Sequence, residues 1–156
     1  MNDTMTARWL DSDQQAHWRA FLSGTTRLFE RLDRQLRERS GISLAEYEIL
    51  VRLSEAPGQH LRMAELASSL AHSRSRITHT VARLEAAGAV IRQACPSDGR
   101  GVLALLTDGG MRMLVDAAPG HVDAVRGYLV DVASPADFEA VGRVFGATAD
   151  LLADDS

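Results

Sequence analysis

MAELASSLAHSRSRITHTVARLEAAG, residues 63–88, decides how the chain is read. Met63, Leu66 and Leu70 recur at helical spacing, and Ile77, Val81 and Leu84 do so again after a break at 71–74. Apolar residues three and four apart mark one face of a helix. The spacing therefore predicts two short helices, 63–70 and 75–87, the second stopped at Gly88. Short helices joined across so tight a turn make a helix-turn-helix. At 100° per residue, the Ile77, Val81 and Leu84 stripe turns inward onto the first helix of the pair. Ser75 and His79 then point the other way, flanked by Arg76 and Thr78, with Arg83 a turn further on. Such a face has the size and the donors to enter a major groove, and the start of the helix offers backbone N–H groups to a phosphate. A plain solvated helix would present the same face. The segment after Gly88 separates the two possibilities.

That segment contains CPSDGRGVLALLTDGG, residues 95–110. Residues 89–94 and 102–106 read as two strands around an Asp-Gly turn. A basic hairpin directly after a recognition-type helix is the layout of a winged helix-turn-helix, in which the hairpin tip reaches an adjacent minor groove. A narrow minor groove concentrates negative potential and favours arginine, and Arg100 lies between two glycines. Asp98 is assigned a supporting role, accepting from loop N–H groups or pairing with an arginine so that the tip is preorganised.

The flanks are helical. Trp18, Phe21, Leu22, Leu28, Phe29, Leu32 and Leu36 predict an amphipathic helix over 13–39, capped by Gly41. Ser43 and Glu46 form a capping box opening a helix through Leu44, Tyr47, Leu50, Val51 and Leu53, broken at Ala56-Pro57-Gly58. Gln59-His60-Leu61 reads as a connector. Thr107-Asp108 caps a long helix predicted to run to about Val132. Ser134, Pro135 and Asp137 start the last one, whose stripe is Phe138, Val141, Val144, Phe145, Leu151 and Leu152. The expected fold is mainly α with a small antiparallel β-wing: a winged helix-turn-helix set in a helical region.

A chain of 156 residues fits one domain. Its net charge of −4 conceals a strong asymmetry. Residues 61–105 hold six arginines against three acidic residues, while residues 106–156 hold three arginines against nine. Basic charge gathered on one lobe is the footprint of a polyanion partner. The start of the chain has no apolar signal segment, no run is long enough for a membrane span, and Cys95 is the single cysteine. A cytoplasmic location is expected, with Cys95 an exposed loop thiol at the base of the hairpin. The five histidines show no metal-ligand spacing, Gly109-Gly110 opens a helix rather than a phosphate loop, and no nucleophile–base signature is present. No metal, no cofactor and no enzymatic activity are expected.

These residues together resemble the MarR (multiple-antibiotic-resistance regulator) family of bacterial transcription factors. Met63-Ala-Glu-Leu-Ala67 is similar to the first segment of its helix-turn-helix, and Ser73 to Thr78, Val81, Arg83-Leu-Glu85 and Gly88 to its recognition helix and exit. Asp98, Arg100, Ala104, Leu106 and Thr107 occupy the places of its wing signature. The chain departs at Gly99, where many members carry a second arginine, at Ala71, where the turn often has Gly, and at His72, usually aliphatic. Gly99 either loosens the wing's grip or lets the tip come closer. The resemblance implies one domain over 1–156, with 1–56 and 107–156 as a dimerisation region and 57–106 as the winged lobe. It implies a homodimer on double-stranded, pseudo-palindromic DNA, contacted through Ser73, Arg74, Ser75, Arg76, Thr78, His79, Arg83 and Arg100. It also implies a pocket for a small aromatic or phenolic effector, whose binding releases DNA as from a repressor. His17, Trp18, Phe21, Tyr47 and Met111 lie on the helices that should border it, although each aromatic could instead pack the dimer core. The acidic whole-chain charge keeps a second class open: a winged protein-interaction module that does not bind DNA.

Overall fold

The computed structural model describes residues 7–96, 99 and 101–153. Among the described residues, six α-helices and three short strands occur in the order α1 (Ser12–Ser40), α2 (Leu44–Glu55), β1 (His60–Arg62), α3 (Met63–Ser69), α4 (Arg74–Ala86), β2 (Val90–Ala94), β3 (Val102–Leu106), α5 (Asp108–Val125) and α6 (Pro135–Ala153). Helix ends fall where the side chains can satisfy them. Asp11 caps α1 and Gly41 closes it in the left-handed region, φ 72°. Ser43 and Glu46 form the expected box at α2, and Thr107 caps α5.

The core lies where α2 crosses the winged lobe. Leu36, Ile49, Leu50, Leu53, Leu66, Ile77, Val81, Leu84, Val90 and Ala104 are buried together. The inward stripe of α4 therefore packs as its spacing predicts, and α2 forms the platform on which the helix-turn-helix sits. Helix α1 packs along α5 and α2.

Three expectations are corrected. The connector at Gln59-His60-Leu61 is in part a strand: β1 joins the hairpin antiparallel in the order β1-β3-β2, with Leu61 opposite Ala104. Three residues are too few to show the two-residue alternation that betrays a strand. The helix expected to reach Val132 ends as α-helix at Val125 and continues as a π-helical turn, Arg126–Val130. There the Asp131 N–H donates to the Arg126 carbonyl, 2.8 Å, and the Arg126 guanidinium meets the Asp131 carboxylate at 2.7 Å. Cys95 is buried rather than exposed, 6% accessible, because its N–H donates to the Gly101 carbonyl (2.8 Å) and its carbonyl accepts from the Gly99 N–H (3.0 Å), folding the loop base inward. Among the described residues no helix is long and apolar enough to cross a membrane.

Candidate nucleic-acid interface

Helix α3, the turn and α4 are held by local hydrogen bonds. The Ala71 N–H donates to the Ser68 carbonyl (3.1 Å) and the His72 N–H to the Ala67 carbonyl (3.0 Å). Ala71 takes φ 50°, a region that suits glycine. Ser73 caps α4: its Oγ accepts from the Arg76 N–H at 3.3 Å and lies 3.2 Å from the Ser75 Oγ.

With Ile77, Val81 and Leu84 buried, the side chains of Ser73, Arg74, Ser75, Arg76, Thr78, His79 and Arg83 are all exposed. The first turn of α4 carries no acidic residue. Besides Ser73 and Ser75, Thr78 and Arg83 have partners within the chain. The Thr78 hydroxyl donates to the Arg74 carbonyl, 2.8 Å, leaving its oxygen lone pairs outward. The Arg83 Nε reaches the carboxylate of buried Glu46 at 3.0 Å, so Arg83 also anchors α4 to α2. Nothing in the local spacing of either helix foretells that pairing.

The wing is fixed to α4 by a second pair. Glu85 accepts from Arg92 three times, from the backbone N–H (3.1 Å), Nε (2.9 Å) and Nη2 (2.6 Å). These hydrogen bonds hold the Glu85 carboxyl below its ordinary pKa. Asp98 and Arg100 lie outside the described residues. Gly99 is described: its φ of 63° is a conformation that costs other residues roughly 1–2 kcal/mol. The turn itself therefore favours glycine at this position.

The five residues expected at an effector pocket are divided among different places: Trp18 and Phe21 stack together, while Tyr47 lines a separate cleft. Tyr47 lines a cleft of about 420 Å³ with Leu28, Phe29, Leu32, Val51, His121 and Leu129. Its ring lies 4.4 Å from the His121 imidazole. Burial raises the Tyr47 pKa and lowers that of His121, so both are neutral near pH 7. The His121 Nδ1 is buried with no hydrogen-bond partner. Trp18 and Phe21 stack on each other at 5.5 Å, and Phe21 meets Phe145 of α6 at 5.2 Å. His17 is exposed, and Met111 packs against the core. Sequence spacing puts Trp18 and Phe21 on the right helix but cannot place them along its length. His121, which does line the cleft, carried no local signal. Among the described residues, no cluster of three or more metal-ligating side chains occurs.

A capped helix-turn-helix, a hairpin locked against its second helix and a third strand completing the sheet define a winged helix-turn-helix protein. The sequence profile of the MarR family matches residues 40–101. Sco3205, a MarR family transcriptional regulator from Streptomyces coelicolor solved in complex with DNA, is 44% identical, with 92% of this chain and 90% of that one covered and a TM-score of 0.89. AbsC, a MarR family regulator from the same organism, is 36% identical over 94% of this chain and 98% of its own, TM-score 0.87. This chain belongs to the MarR family of transcriptional regulators. CouR from Rhodococcus jostii RHA1, bound to p-coumaroyl-CoA, shares the fold at 22% identity over 92% and 96% of the two chains, TM-score 0.73. No curated protein matches the sequence significantly.

Proposed function

We propose that the protein is a homodimeric, ligand-responsive repressor that reads a pseudo-palindromic operator, with α4 in a major groove and the hairpin tip in the adjoining minor groove. The observation that carries this reading is the outward face of α4, where Ser75, Arg76, Thr78 and His79 stand exposed above a buried apolar stripe. Sco3205, the 44% identical relative, was solved on DNA. Arg74 and Arg83 flank that face and Ser73 serves first as the cap of α4; in this reading Arg100 is the residue for the minor groove and Asp98 its support.

Dimerisation is supported by the apolar surface that a single chain leaves uncovered. Helix α6 has 19 residues and none is buried, although Phe138, Val141, Val144, Phe145, Leu151 and Leu152 form one apolar stripe. The chain exposes 11072 Å², whereas a compact monomer of 16.9 kDa exposes about 7,700 Å². Apolar patches of this extent mark interfaces. A partner copy across α1, α5 and α6 makes residues 1–56 and 107–156 the dimerisation region and places the two 57–106 lobes on half-sites about one helical turn, ~10 bp, apart.

The effector site is the Tyr47–His121 cleft, mostly apolar with two rings that can hydrogen-bond and with Glu48, Arg52 and Glu55 also on its lining, which suits a small aromatic or phenolic compound. It lies against α2, the same helix that holds Arg83 of α4 through Glu46. Occupancy would thus bias the separation of the two lobes, a shift between pre-existing states.

A gel-shift series tests the DNA half of this reading. Ser75→Ala and His79→Ala are expected to change base preference, each base contact contributing about 1–3 kcal/mol, and Arg100→Ala to weaken operator binding strongly. Three variants that all bind like wild type would remove it.

A further inference from the structure

A polar cleft of about 310 Å³ opens between α1 and α5. It shares no lining residue with the Tyr47–His121 cleft. Arg31, Gln35, Glu38 and Arg39 of α1 line it, with Gly120 and Asp123 of α5 and Tyr128 of the π-helical turn. Gln35 is 6% accessible, and its Oε1 is buried without a hydrogen-bond partner. The amide fits there because residue 120 is glycine: a Cβ at that position would stand 3.1 Å from the Gln35 Nε2. Leaving a buried acceptor unpaired is costly, so the Gln35 oxygen calls for a donor from outside the chain.

The charges around that amide say which donor. Two guanidiniums and two carboxylates line the cleft, and no ion pair among the described residues joins any two of the four. A simple anion would meet both carboxylates there, and a simple cation both arginines. A small molecule carrying both charges satisfies all four. Arg31 is held ready for its negative end: the Nε donates to the Tyr128 hydroxyl at 3.1 Å, and the guanidinium carbon lies 5.8 Å from the Tyr128 ring centroid. The two Nη groups are left as a fork for a carboxylate. A primary ammonium has three donors, and Glu38, Asp123 and the Gln35 Oε1 supply three acceptors. The apolar surface assigned to a partner copy lies on other faces of both helices. Phe29 is about 180° around α1 from Glu38, and Val122 about 160° around α5 from Gly120.

We propose that the α1–α5 cleft is a second ligand site, taking a small zwitterion of the α-amino acid class. Arg31 and Arg39 receive its carboxylate, and Glu38, Asp123 and the Gln35 amide oxygen receive its ammonium group. The site goes beyond the DNA-binding reading and does not depend on it. Gln35 serves binding rather than stability, so one substitution at that position should separate the two.

The test is calorimetric titration of the full-length protein with each of the common L-amino acids, and with the N-acetyl form of any that binds. At least one amino acid should bind saturably, and its N-acetyl form, which lacks the ammonium group, should not. Arg31→Gln and Asp123→Asn, both at exposed positions, should each weaken binding roughly tenfold or more. Gln35→Leu should abolish binding yet melt at or above the wild-type temperature, because an apolar side chain of similar size removes an unsatisfied buried group. No saturable binding by any amino acid, equal binding of the N-acetyl form, or wild-type affinity in Asp123→Asn would each overturn the proposal. A clear loss of stability in Gln35→Leu would return Gln35 to the packing of α1 on α5 and overturn it as well.

Discussion

Replacing Gly110 by alanine is expected to destabilise the protein by about 3 kcal/mol, at the upper end of the usual cost of overpacking a rigid site. Gly110 is buried in the first turn of α5, where the helix start is pressed against the exit of α4. Thr107 makes that junction: its Oγ donates to the Gly88 carbonyl (2.7 Å) and accepts from the Gly110 N–H (3.0 Å), while its own N–H donates to the Ala89 carbonyl (3.1 Å). A Cβ on Gly110 would collide with the Ala89 carbonyl oxygen and stand 2.7 Å from Leu106 Cδ1. The first obstacle is backbone and cannot swing aside. The neighbouring Gly109 supplies the control. Its Cβ would lie 3.3 Å from the Gly88 oxygen, a tight approach partly offset by the roughly 0.5–1 kcal/mol that alanine gains over glycine in a helix. Thermal denaturation of both variants checks this. Gly110→Ala should melt about 6–12 °C lower and Gly109→Ala near wild type; equal melting would mean that α5 does not dock as described.

The second large effect is expected at Glu46. Its side chain is 7% exposed, and Oε2 accepts from both the Ser43 N–H (2.7 Å) and the Ser43 hydroxyl (2.8 Å). Ser43 is itself buried. Glu46→Ala therefore removes a capping box, strands two buried donors and frees Arg83 from α2. An unsatisfied buried donor costs about 1–3 kcal/mol and a missing cap about 0.5–2 kcal/mol, so a total near 3 kcal/mol is expected in a denaturant titration. The half-exposed Arg83 adds little to that figure, because solvent screens the pair. Its role is positional: it ties the α4 face to the helix that lines the Tyr47–His121 cleft. Glu46→Gln, which keeps the Ser43 hydrogen bonds through its amide oxygen but drops the charge, should retain most of the stability while weakening the response of DNA binding to an effector. Wild-type stability in Glu46→Ala would show that this buried carboxylate is not held as described.

The elements that local physics determines were legible in the chain itself. The inward stripe of α4, the caps at Ser43 and Thr107 and the Ser134–Pro135 start each depend on residues within a turn of one another, and each forms where the spacing places it. The family emerged from the same local motifs, read in order. The features that stayed hidden depend on partners far along the chain. Leu61 opposite Ala104, Arg83 on Glu46 and Phe21 against Phe145 join segments whose separation leaves no periodic trace. Cys95 is buried by the closure of a hairpin, not by its own neighbours in sequence. The candidate interface shows both cases. Its outward α4 face is a helical-wheel property, whereas Arg62 lines the cleft between α4 and the hairpin only because β1 completes the sheet.

The most direct measurement is the equilibrium affinity of the wild-type protein for the DNA upstream of its own coding sequence, determined across a salt series. Two winged lobes seated on phosphate backbones should release counterions, so that log affinity falls linearly with log salt, with a slope of roughly −5 to −9 when six to ten phosphates are engaged. Affinity that is absent, or flat with salt, would contradict DNA recognition and leave the winged lobe as a surface for binding another protein.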